Sequence, residues 1–377
     1  MAQLRKFVNS VPEYHRTGKG NFKHRLSDLL MLVIMARLSK CVTRQEILSF
    51  GRDNLRRLQA MGLLKRGLPS EPTLCRVFKS IDDEEMAHCL SAFSESFRKE
   101  IRKSEMEIIC VDGKAMKVTV YDNGRNPDIV SAYSAEAGIT LATDVCEEKS
   151  NEIKAVPLLL VNKIDICGKI VTADTMSMQK DIIDRIREEG GDFLIELKAN
   201  QRSLCYGVGD RIKEHAPLYS YTEGPELGHG RIETRTYRIC DGLDIIADKE
   251  KWGGNMTIIE YESDTVKKPS GAHTSEKRLY VSGLPTNTPA LGSIVRKHRA
   301  IESMHWGLDL NLLQDKVKRK SVKAARNLDT MQRIVYSLFS IWRGLRKKQS
   351  DKRKGMAGLM RHISMSFTRF LRFLSQN

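Results

Sequence analysis

The sequence predicts an α/β protein built around a mixed sheet, with strands and helices in the order βββαβαβ-α. Three observations lead to this prediction. Apolar residues recur at helical spacing over residues 20–104, strand-like runs rich in β-branched residues follow from residue 105, and helical and strand patterns then alternate. With 377 residues, 41% of them hydrophobic and 29% charged, the chain has the composition of a folded protein with a substantial core.

The first predicted domain, residues 1–104, is helical. Residues 26–38 are apolar all round, and Thr43 and Glu46 have the spacing of a capping box at the start of the next helix. Residues 68–78 have Ser and Pro near their start and place their apolar side chains on one face. That segment is either a recognition helix for DNA or an ordinary amphipathic helix with a solvated basic face.

The predicted core begins at residue 105. Three strand-like runs separated by Gly-containing turns predict an antiparallel meander, after which helical and strand patterns alternate. The predicted strands are 106–111, 128–134, 139–145, 169–173 and 192–197, and the helices among them are 150–162 and 177–189. This order, followed by a later helix, is that of a ribonuclease-H-like fold.

A β-rich insertion interrupts this core. Within it Arg231, Glu233, Arg235 and Tyr237 fall on one face of a strand at period two, and a helical segment, 289–314, follows the insertion. The C-terminal tail carries ten Lys or Arg and one acid, so we expect it to lie on DNA or in solvent. The predicted domains are 1–104 (helical), 105–205 (first part of the core), 206–286 (β-rich insertion), 287–342 (second part of the core) and 343–377 (basic tail).

The charge of the chain points to a polyanionic partner. A formal net charge of +16 and an isoelectric point near 9.4 favour contacts that release counterions from phosphates, which makes nucleic acid the leading partner. Charge alone leaves open a role in avoiding aggregation or in touching anionic lipid.

The cysteines and the apolar runs indicate a cytoplasmic protein. None of the eight cysteines forms a Cys-x-x-Cys pair, which suggests a reducing compartment. The N-terminus does not resemble a signal peptide, and the longest uninterrupted apolar run, residues 29–36, is too short to span a bilayer. We therefore expect a cytoplasmic location and no membrane segment.

Three acidic residues lie where metal-dependent phosphoryl-transfer enzymes place converging carboxylates. Asp112 and Asp174 follow apolar strand-like runs, and Glu302 lies in a helical segment. In the predicted fold the first and fourth strands are adjacent and parallel, so both aspartates emerge near one edge, where the later helix can bring Glu302. The sequence therefore predicts a metal-dependent site for phosphoryl transfer.

A polar stripe accompanies the glutamate. His298, Glu302, His305 and Asp309 are separated by four, three and four positions, so on a helix they share one face. A solvated face with i,i+4 pairing explains this pattern equally well. A zinc site made from the first three of these residues is geometrically possible, but it gives the two aspartates no role.

Eleven short motifs along the chain resemble, in the same order, those of DDE transposases of the H-repeat-associated insertion-sequence family. They lie at 111–114, 130–134, 148–153, 170–174, 179–180, 191–192, 197–201, 229–235, 301–302, 305–306 and 308–309. The helical segments 44–50 and 69–78 are similar to the region that precedes the catalytic domain in that family.

The resemblance implies a specific chemistry. Asp112, Asp174 and Glu302 match the catalytic triad, which holds two Mg²⁺ or Mn²⁺ ions. The implied reactions are cleavage at transposon ends to expose a 3′-OH and its transfer into target DNA. The implied partners are double-stranded DNA, as terminal inverted repeats and as target, and a second copy of the chain in a homodimeric synaptic complex.

The same resemblance implies a set of polar residues that contact DNA near the cleaved end. Lys114 ranks first, because a lysine just beyond Asp112 could hold a phosphate or offset carboxylate repulsion. The full set is Lys114, Lys198, Asn200, Gln201, His229, Arg231, Arg235 and His298. Two alternatives remain open: a nuclease of the same fold that cuts without joining, and a DNA-binding remnant without catalysis.

Overall fold

The computed structural model describes residues 2–14, 23–101, 106–117, 119–121, 123–146, 152–174, 177–198, 202–228, 230–246, 249–268, 270–289, 291–318, 320–345 and 355–376. These residues form a mixed α/β fold with two compact units. The first unit contains Met1–Ser104, Gly113–Asn151 and Ile301–Asn377, and the second contains Glu105–Asp112 and Glu152–Ala300.

The predicted helices and strands occur in the predicted order, and residues between 202 and 252 form three further helices that the sequence does not predict. In chain order they are α1 (Ala2–Ser10), α2 (Leu26–Leu38), α3 (Arg44–Asp53), α4 (Leu55–Ala60), α5 (Glu71–Ser80), α6 (Asp83–Ile101), β1 (Ile108–Ala115), β2 (Asp128–Ser134), β3 (Ile139–Cys146), α7 (Glu152–Lys163), β4 (Ile170–Ala173), α8 (Lys180–Glu188), β5 (Asp192–Leu197), α9 (Arg202–Glu214), β6 (Tyr219–Gly228), β7 (Arg231–Asp241), α10 (Gly242–Ile245), α11 (Lys249–Trp252), β8 (Thr257–Lys267), β9 (His273–Ser282), α12 (Leu291–Lys297), α13 (Arg299–Leu310), α14 (Val322–Leu345), α15 (Met356–Ser364) and α16 (Phe367–Gln376). The predicted βββαβαβ order of the core, from β1 to β5, is confirmed.

The first unit is centred on two long buried helices. Helix α2 is buried on all sides, as its apolar circumference predicts, and packs against α1, α3, α5 and α14. Helix α14 also packs against β3 of the β2–β3 hairpin. Within α14 the fully buried Arg333 and Asp329 form an ion pair, Nε to Oδ2, of 2.7 Å.

Local sequence signals fix the start of two helices in this unit. The predicted capping box of α3 is present: Thr43 Oγ1 accepts from the Glu46 amide at 3.2 Å, and Glu46 Oε2 accepts from the Thr43 amide at 2.8 Å. Ser70 caps α5 in the same way by accepting from the Thr73 amide at 3.3 Å.

The C-terminal tail is folded, and the expectation that it lies on DNA or in solvent is wrong for its described part. Helices α15 and α16 carry apolar side chains that are buried in the first unit, including Leu359, Phe370 and Phe373. Phe373 packs against Phe339 and Trp342 of α14, with ring centroids 5.3 and 5.7 Å apart. The ten basic residues give the tail the composition of a solvated segment. The apolar residues between them nevertheless recur at helical spacing, which is the pattern of a helix with one buried face.

The second unit contains a mixed sheet. The first part of β1 pairs in parallel with β4, and β4 pairs in parallel with β5. Strand β9 then continues the sheet antiparallel to β5, followed by β8, β7 and β6, so that the predicted β-rich insertion supplies the antiparallel half. The strands of the parallel half are buried along their length, which explains their uninterrupted apolar runs.

Two elements differ from the sequence prediction. The predicted single helix over 289–314 is interrupted at His298, between α12 and α13. Strand β1 continues past Asp112 to Ala115, although its pairing with β4 ends at Val111. Both elements cross the boundary between the two units.

In the described part of the chain, no helix has the length and apolarity needed to cross a membrane. All eight cysteines are free thiols.

Replacing Phe373 with Ala tests whether the tail is part of the folded protein. The ring is 1% exposed, so we expect its removal to lower the free energy of unfolding by about 3–5 kcal/mol. Met365→Ala is the matched control, because Met365 lies between the last two helices and is 67% exposed. Urea unfolding measures both variants, and equal stability of the two would show that the tail does not pack.

Candidate active site

Asp112 and Asp174 lie side by side at the end of two paired strands. The parallel register of β1 and β4 places Ile109 opposite Val171, and its last pair is Val111 with Ala173. Each aspartate is the next residue along its strand. Adjacent strands are about 4.8 Å apart and residues in register project to the same face, so we expect the two half-buried side chains to project to the same face of the sheet.

The junction between α12 and α13 is anchored to the same pair of strands. Cys110 Sγ donates to the carbonyl of Lys297 at 3.3 Å, and His298 Nδ1 lies 3.0 Å from Thr172 Oγ1. Cys110 and Thr172 are a register pair, each two residues before an aspartate. Because side chains two apart in a strand project to one face, the junction lies on the face that carries the two carboxylates.

Glu302 lies in the first turn of α13 and is exposed. It follows His298 by four residues, so the anchored junction leads directly into the helical turn that carries it. The described residues contain no ready-formed group of three or more His, Cys, Asp or Glu side chains that could hold a metal ion. The structure therefore brings Asp112 and Asp174 together and leaves the role of Glu302 as a prediction.

The donor set suits a hard divalent cation. Two carboxylates that emerge side by side supply oxygen ligands of the kind that Mg²⁺ and Mn²⁺ prefer. Mg²⁺ is usually held by one or two carboxylates together with substrate phosphate oxygens. Asp112 and Asp174 fit that pattern, so these two residues could hold a metal once a DNA phosphate is present.

Lys114 forms an ion-pair cluster within the first unit. Its Nζ lies 2.9 Å from Asp309 Oδ1 on α13 and 3.4 Å from Asp315 Oδ2 in the 3₁₀ turn Gln314–Lys316. Burial raises the pKa of Asp315, the nearby Lys114 lowers it and Asp309 raises it, so that the carboxyl ends with a raised pKa. The cluster ties the end of β1 to the C-terminal end of α13.

Of the other predicted DNA-contacting residues, two are on the surface. Lys198 follows β5 and pairs with Glu196 at 3.0 Å, and half-exposed Arg231 lies 3.6 Å from Glu233. Asn200, Gln201 and His229 lie outside the described residues. His298 is at the helix junction, where its ring contacts Thr172.

Arg235 has a placement that differs from the prediction of a DNA contact. Its side chain is buried, with the residue 6% exposed, and its guanidinium pairs with Glu226 at 2.7 Å and Glu233 at 2.9 Å. Burial lowers the pKa of Arg235, but the hydrogen bonds and charges of the two glutamates outweigh that effect and raise it. A guanidinium held in this way is not available to a phosphate.

The sequence pattern places Glu233 beside Arg235, but it does not predict Glu223 and Glu226, the other two carboxylates on that face. Glu223, Glu226 and Glu233 all project to one face of the β6–β7 hairpin, although Glu223 and Glu226 are three residues apart. A β-bulge between them changes the period, and Gly224 within it has φ +104°. A Cβ at Gly224 would lie 2.7 Å from the carbonyl of Glu233, so only glycine fits there. The Gly-Pro pair is the sequence signal for this irregularity.

A basic cleft of about 540 Å³ lies in the first unit. It is formed by the start of α3, by α5 and by residues 317–328, and its floor includes Leu74, Phe78 and Leu328. The acid in its lining, Glu71, is already paired with Arg44 at 2.9 Å. The basic residues of its lining are Arg37, Arg44, Lys79, Lys318 and Lys320.

Two family models match this sequence. The model described as a DDE_Tnp_1-associated domain matches residues 6–94, and the model described as a transposase DDE domain matches residues 103–338, more than half of the chain. The chain belongs to the DDE transposase family. The family that the motifs indicate is therefore confirmed.

Relatives of the chain include two from Escherichia coli (strain K12). "H repeat-associated putative transposase YhhI" is 29% identical over 363 residues, which cover 92% of this chain and 94% of that relative. "H repeat-associated putative transposase YbfD" is 32% identical over 258 residues, 66% of this chain and 98% of that relative. Among solved structures, a piggyBac transposase synaptic complex with hairpin DNA aligns with 98% of this chain and 79% of its own, at 9% identity and a TM-score of 0.48.

Replacing Lys114 with Met tests the ion-pair cluster of this transposase. Asp309 and Asp315 would keep like charges without a shared cation, so we expect the free energy of unfolding at pH 7 to fall by about 1–2 kcal/mol. The pKa of Asp315, already raised, would rise further. A carboxyl with a raised pKa binds its proton more tightly in the folded state than in the unfolded chain, so the deficit should shrink as the pH falls towards about 5.

Urea unfolding of Lys114→Met at pH 7 and at about pH 5 measures how the loss of stability depends on pH. Lys117→Met is the control, because Lys117 is exposed and acts on Asp315 through its charge alone, whereas Lys114 also forms a hydrogen bond. A deficit that grows on acidification would contradict the assignment of Lys114 as the shared partner of both carboxylates.

Proposed function

We propose that this chain is a metal-dependent transposase that cleaves DNA at the ends of a bacterial insertion sequence and transfers the 3′-OH into target DNA. We further propose that its core is ribonuclease-H-like and that Asp112, Asp174 and Glu302 are its catalytic carboxylates. The observation that carries the proposal is the parallel pairing of β1 with β4, which sets Asp112 beside Asp174. Membership of the DDE transposase family supports the same chemistry.

Two contacts support a role for Glu302. The α12–α13 junction is tied to β1 and β4 through Cys110 and Thr172, four residues before Glu302. Seven residues after it, Asp309 pairs with Lys114, two residues beyond Asp112. The segment that carries Glu302 is thus attached at both ends to residues that neighbour the aspartates in sequence.

Two Mg²⁺ or Mn²⁺ ions, when bound, would supply activation of the attacking oxygen and stabilisation of the leaving oxygen. The chain's own residues would supply the metal ligands and hold them in place. Asp112 and Asp174 directly follow the last hydrogen-bonded pair of β1 and β4, so their backbone is held before substrate arrives, which would reduce the reorganisation needed during reaction. Lys114, engaged by two acids, holds β1 against α13 rather than binding a phosphate directly.

DNA is the proposed partner, and the basic cleft of the first unit is a proposed surface for its backbone. Five basic residues and one paired acid give the cleft a positive field, which suits phosphates. Lys198 and Arg231, together with Asn200, Gln201 and His229, remain proposed contacts near the cleaved end. We also propose a homodimer on DNA, because two transposon ends must be joined to one target.

Substituting Asn for Asp112 or Asp174 tests the catalytic proposal. Loss of a residue that hydrogen-bonds a metal ligand typically lowers metal affinity or activity about 10–100-fold. We therefore expect loss of a ligand itself to lower Mg²⁺-dependent end cleavage by at least about a hundredfold, with DNA affinity retained. The substrate is a plasmid that carries the coding region with its natural flanks. Asp184→Asn, an exposed acid of α8, is the control and should cleave normally.

The outcomes separate the open alternatives. Cleavage that persists in both aspartate variants would contradict the proposed site. If the unaltered protein cleaves but does not join pre-cut ends to target DNA, the chain is a nuclease without strand transfer. If it binds DNA without cleavage at any Mg²⁺ or Mn²⁺ concentration, it is a remnant without catalysis.

Substituting Ala for both Lys318 and Lys320 tests the cleft. If each lysine releases a counterion on binding, the slope of log affinity against log salt should become less negative by about 1.8. The control replaces Lys180 and Lys213, the latter 74% exposed on α9, and should leave the slope unchanged. Equal slopes for the two double variants would exclude the cleft as a backbone contact.

A further inference from the structure

The face of the insertion that the sequence analysis assigned to DNA is occupied by α12 and the start of α13. Residues 292, 296 and 299 are spaced by four and three positions, and each contacts the β6–β7–β8 face of the second unit. Gly292 donates its amide to Tyr221 Oη at 2.8 Å. A Cβ at Gly292 would lie 2.7 Å from the Tyr237 ring, so the helix approaches the sheet as closely as a backbone can.

Ion pairs continue the contact between this helix and the sheet towards α13. Arg296 pairs with Glu223 at 3.1 Å and with Glu226 at 3.4 Å. Arg299 lies 3.8 Å from Glu233, and its guanidinium stands 6.0 Å from the centre of the Tyr261 ring. The start of α12 therefore packs against tyrosine rings, and the two arginines that follow along the chain contact carboxylates.

Arg235 completes the network from within the sheet. It binds Glu226 and Glu233, the same carboxylates that Arg296 and Arg299 approach from the helix side. Three carboxylates thus face three guanidiniums, and the buried charges of Glu233 and Arg235 compensate each other at the centre of the network. The Arg235 hydrogen bond lowers the pKa of Glu226. Burial raises the pKa of Glu233, but the hydrogen bond and charge of Arg235, together with Arg231 and Ser263, outweigh burial and lower that pKa. Both glutamates stay charged near neutral pH.

We propose that Glu233 and Arg235 are positioning residues that fix the α12–α13 junction and thereby the helical turn that presents Glu302. The link to Glu302 rests on the proposed function, whereas the fixing of the junction does not. Two features of the insertion serve this role: the bulge at Gly224 that brings Glu223 and Glu226 to one face, and the buried Arg235 that orients them. On α12, Gly292 admits the close approach. The insertion acts on catalysis by holding a helix.

The other face of the same strand supplies a matched control. Arg238 of β7 pairs with Glu260 at 2.6 Å and Glu262 at 3.2 Å, which is an equivalent pair of contacts. It lies three residues from Arg235, and neither of its partners contacts α12 in the ion pairs described above. Loss of Arg238 should therefore disturb the sheet without affecting the junction.

The first experiment measures hydrogen exchange of the backbone amides in α12 and α13. The test variant is the double substitution Arg296→Ala/Arg299→Ala, whose side chains are 41% and 39% exposed and can be removed without unfolding the sheet. We expect exchange in residues 291–310 to become about five- to tenfold faster, since three ion pairs and a ring contact are lost. Arg238→Ala should leave those amides unchanged, and Arg296→Lys/Arg299→Lys should restore part of the protection.

Exchange that is unchanged in the double variant, or equally faster in Arg238→Ala, overturns the proposal that the network fixes the junction. This result is independent of catalysis, so it stands even if the proposed function fails.

The second experiment tests the link to Glu302. The Mn²⁺ concentration that gives half-maximal end cleavage is measured for the same variants. We expect it to rise at least about threefold in the double alanine variant with DNA affinity retained, and to stay unchanged in Arg238→Ala. Faster exchange with an unchanged Mn²⁺ midpoint would overturn the link while leaving the junction assignment intact. Absence of any metal-dependent cleavage in the unaltered protein would instead reject the proposed function.

Discussion

The parallel hydrogen bonding of β1 with β4 is the interaction on which the candidate site depends. Side chains in a sheet alternate between faces, so a shift of one residue in this register would turn Asp112 and Asp174 to opposite faces. The register is held by apolar residues on both strands, which are buried from Ile108 to Val111 and from Ile170 to Ala173. The packing of the core therefore also determines the face to which the two carboxylates project.

The helix that carries Glu302 is held by polar contacts rather than by apolar burial alone. Cys110 and Thr172 engage the backbone and the side chain of the junction, and the insertion engages Arg296 and Arg299. Hydrogen bonds and ion pairs are directional, so they set the rotation of a helix more narrowly than apolar contacts do.

The sequence predicts the fold elements well where one local signal dominates. The predicted strand 192–197 coincides with β5, and the Thr43–Glu46 capping box marks the start of α3. The uniform apolar surface of α2 predicts its burial on all sides. These elements depend on short-range periodicity and on caps, which are visible in single segments.

Features that depend on contacts distant in sequence were not predicted. The break at His298 reflects anchoring to Thr172, which lies 126 residues earlier. The burial of Arg235 depends on a bulge in the neighbouring strand, so its period-two pattern indicates a shared face but not what covers that face. The ten basic residues of the tail obscured its buried apolar stripe. For the site itself, the acids and their strands were predictable, whereas the residues that orient the helix were not.

The central claim is that Asp112 and Asp174 form one metal site. Electron paramagnetic resonance of Mn²⁺ titrated into the protein bound to end DNA, with the same DNA alone as background, measures this most directly, because bound Mn²⁺ is distinguished from the free ion without any need for catalysis. We predict that Asp112→Asn and Asp174→Asn each reduce Mn²⁺ binding strongly, and that the double variant binds no more weakly than either single variant. Binding that is unchanged in the single variants, or losses that simply add in the double variant, would contradict the claim.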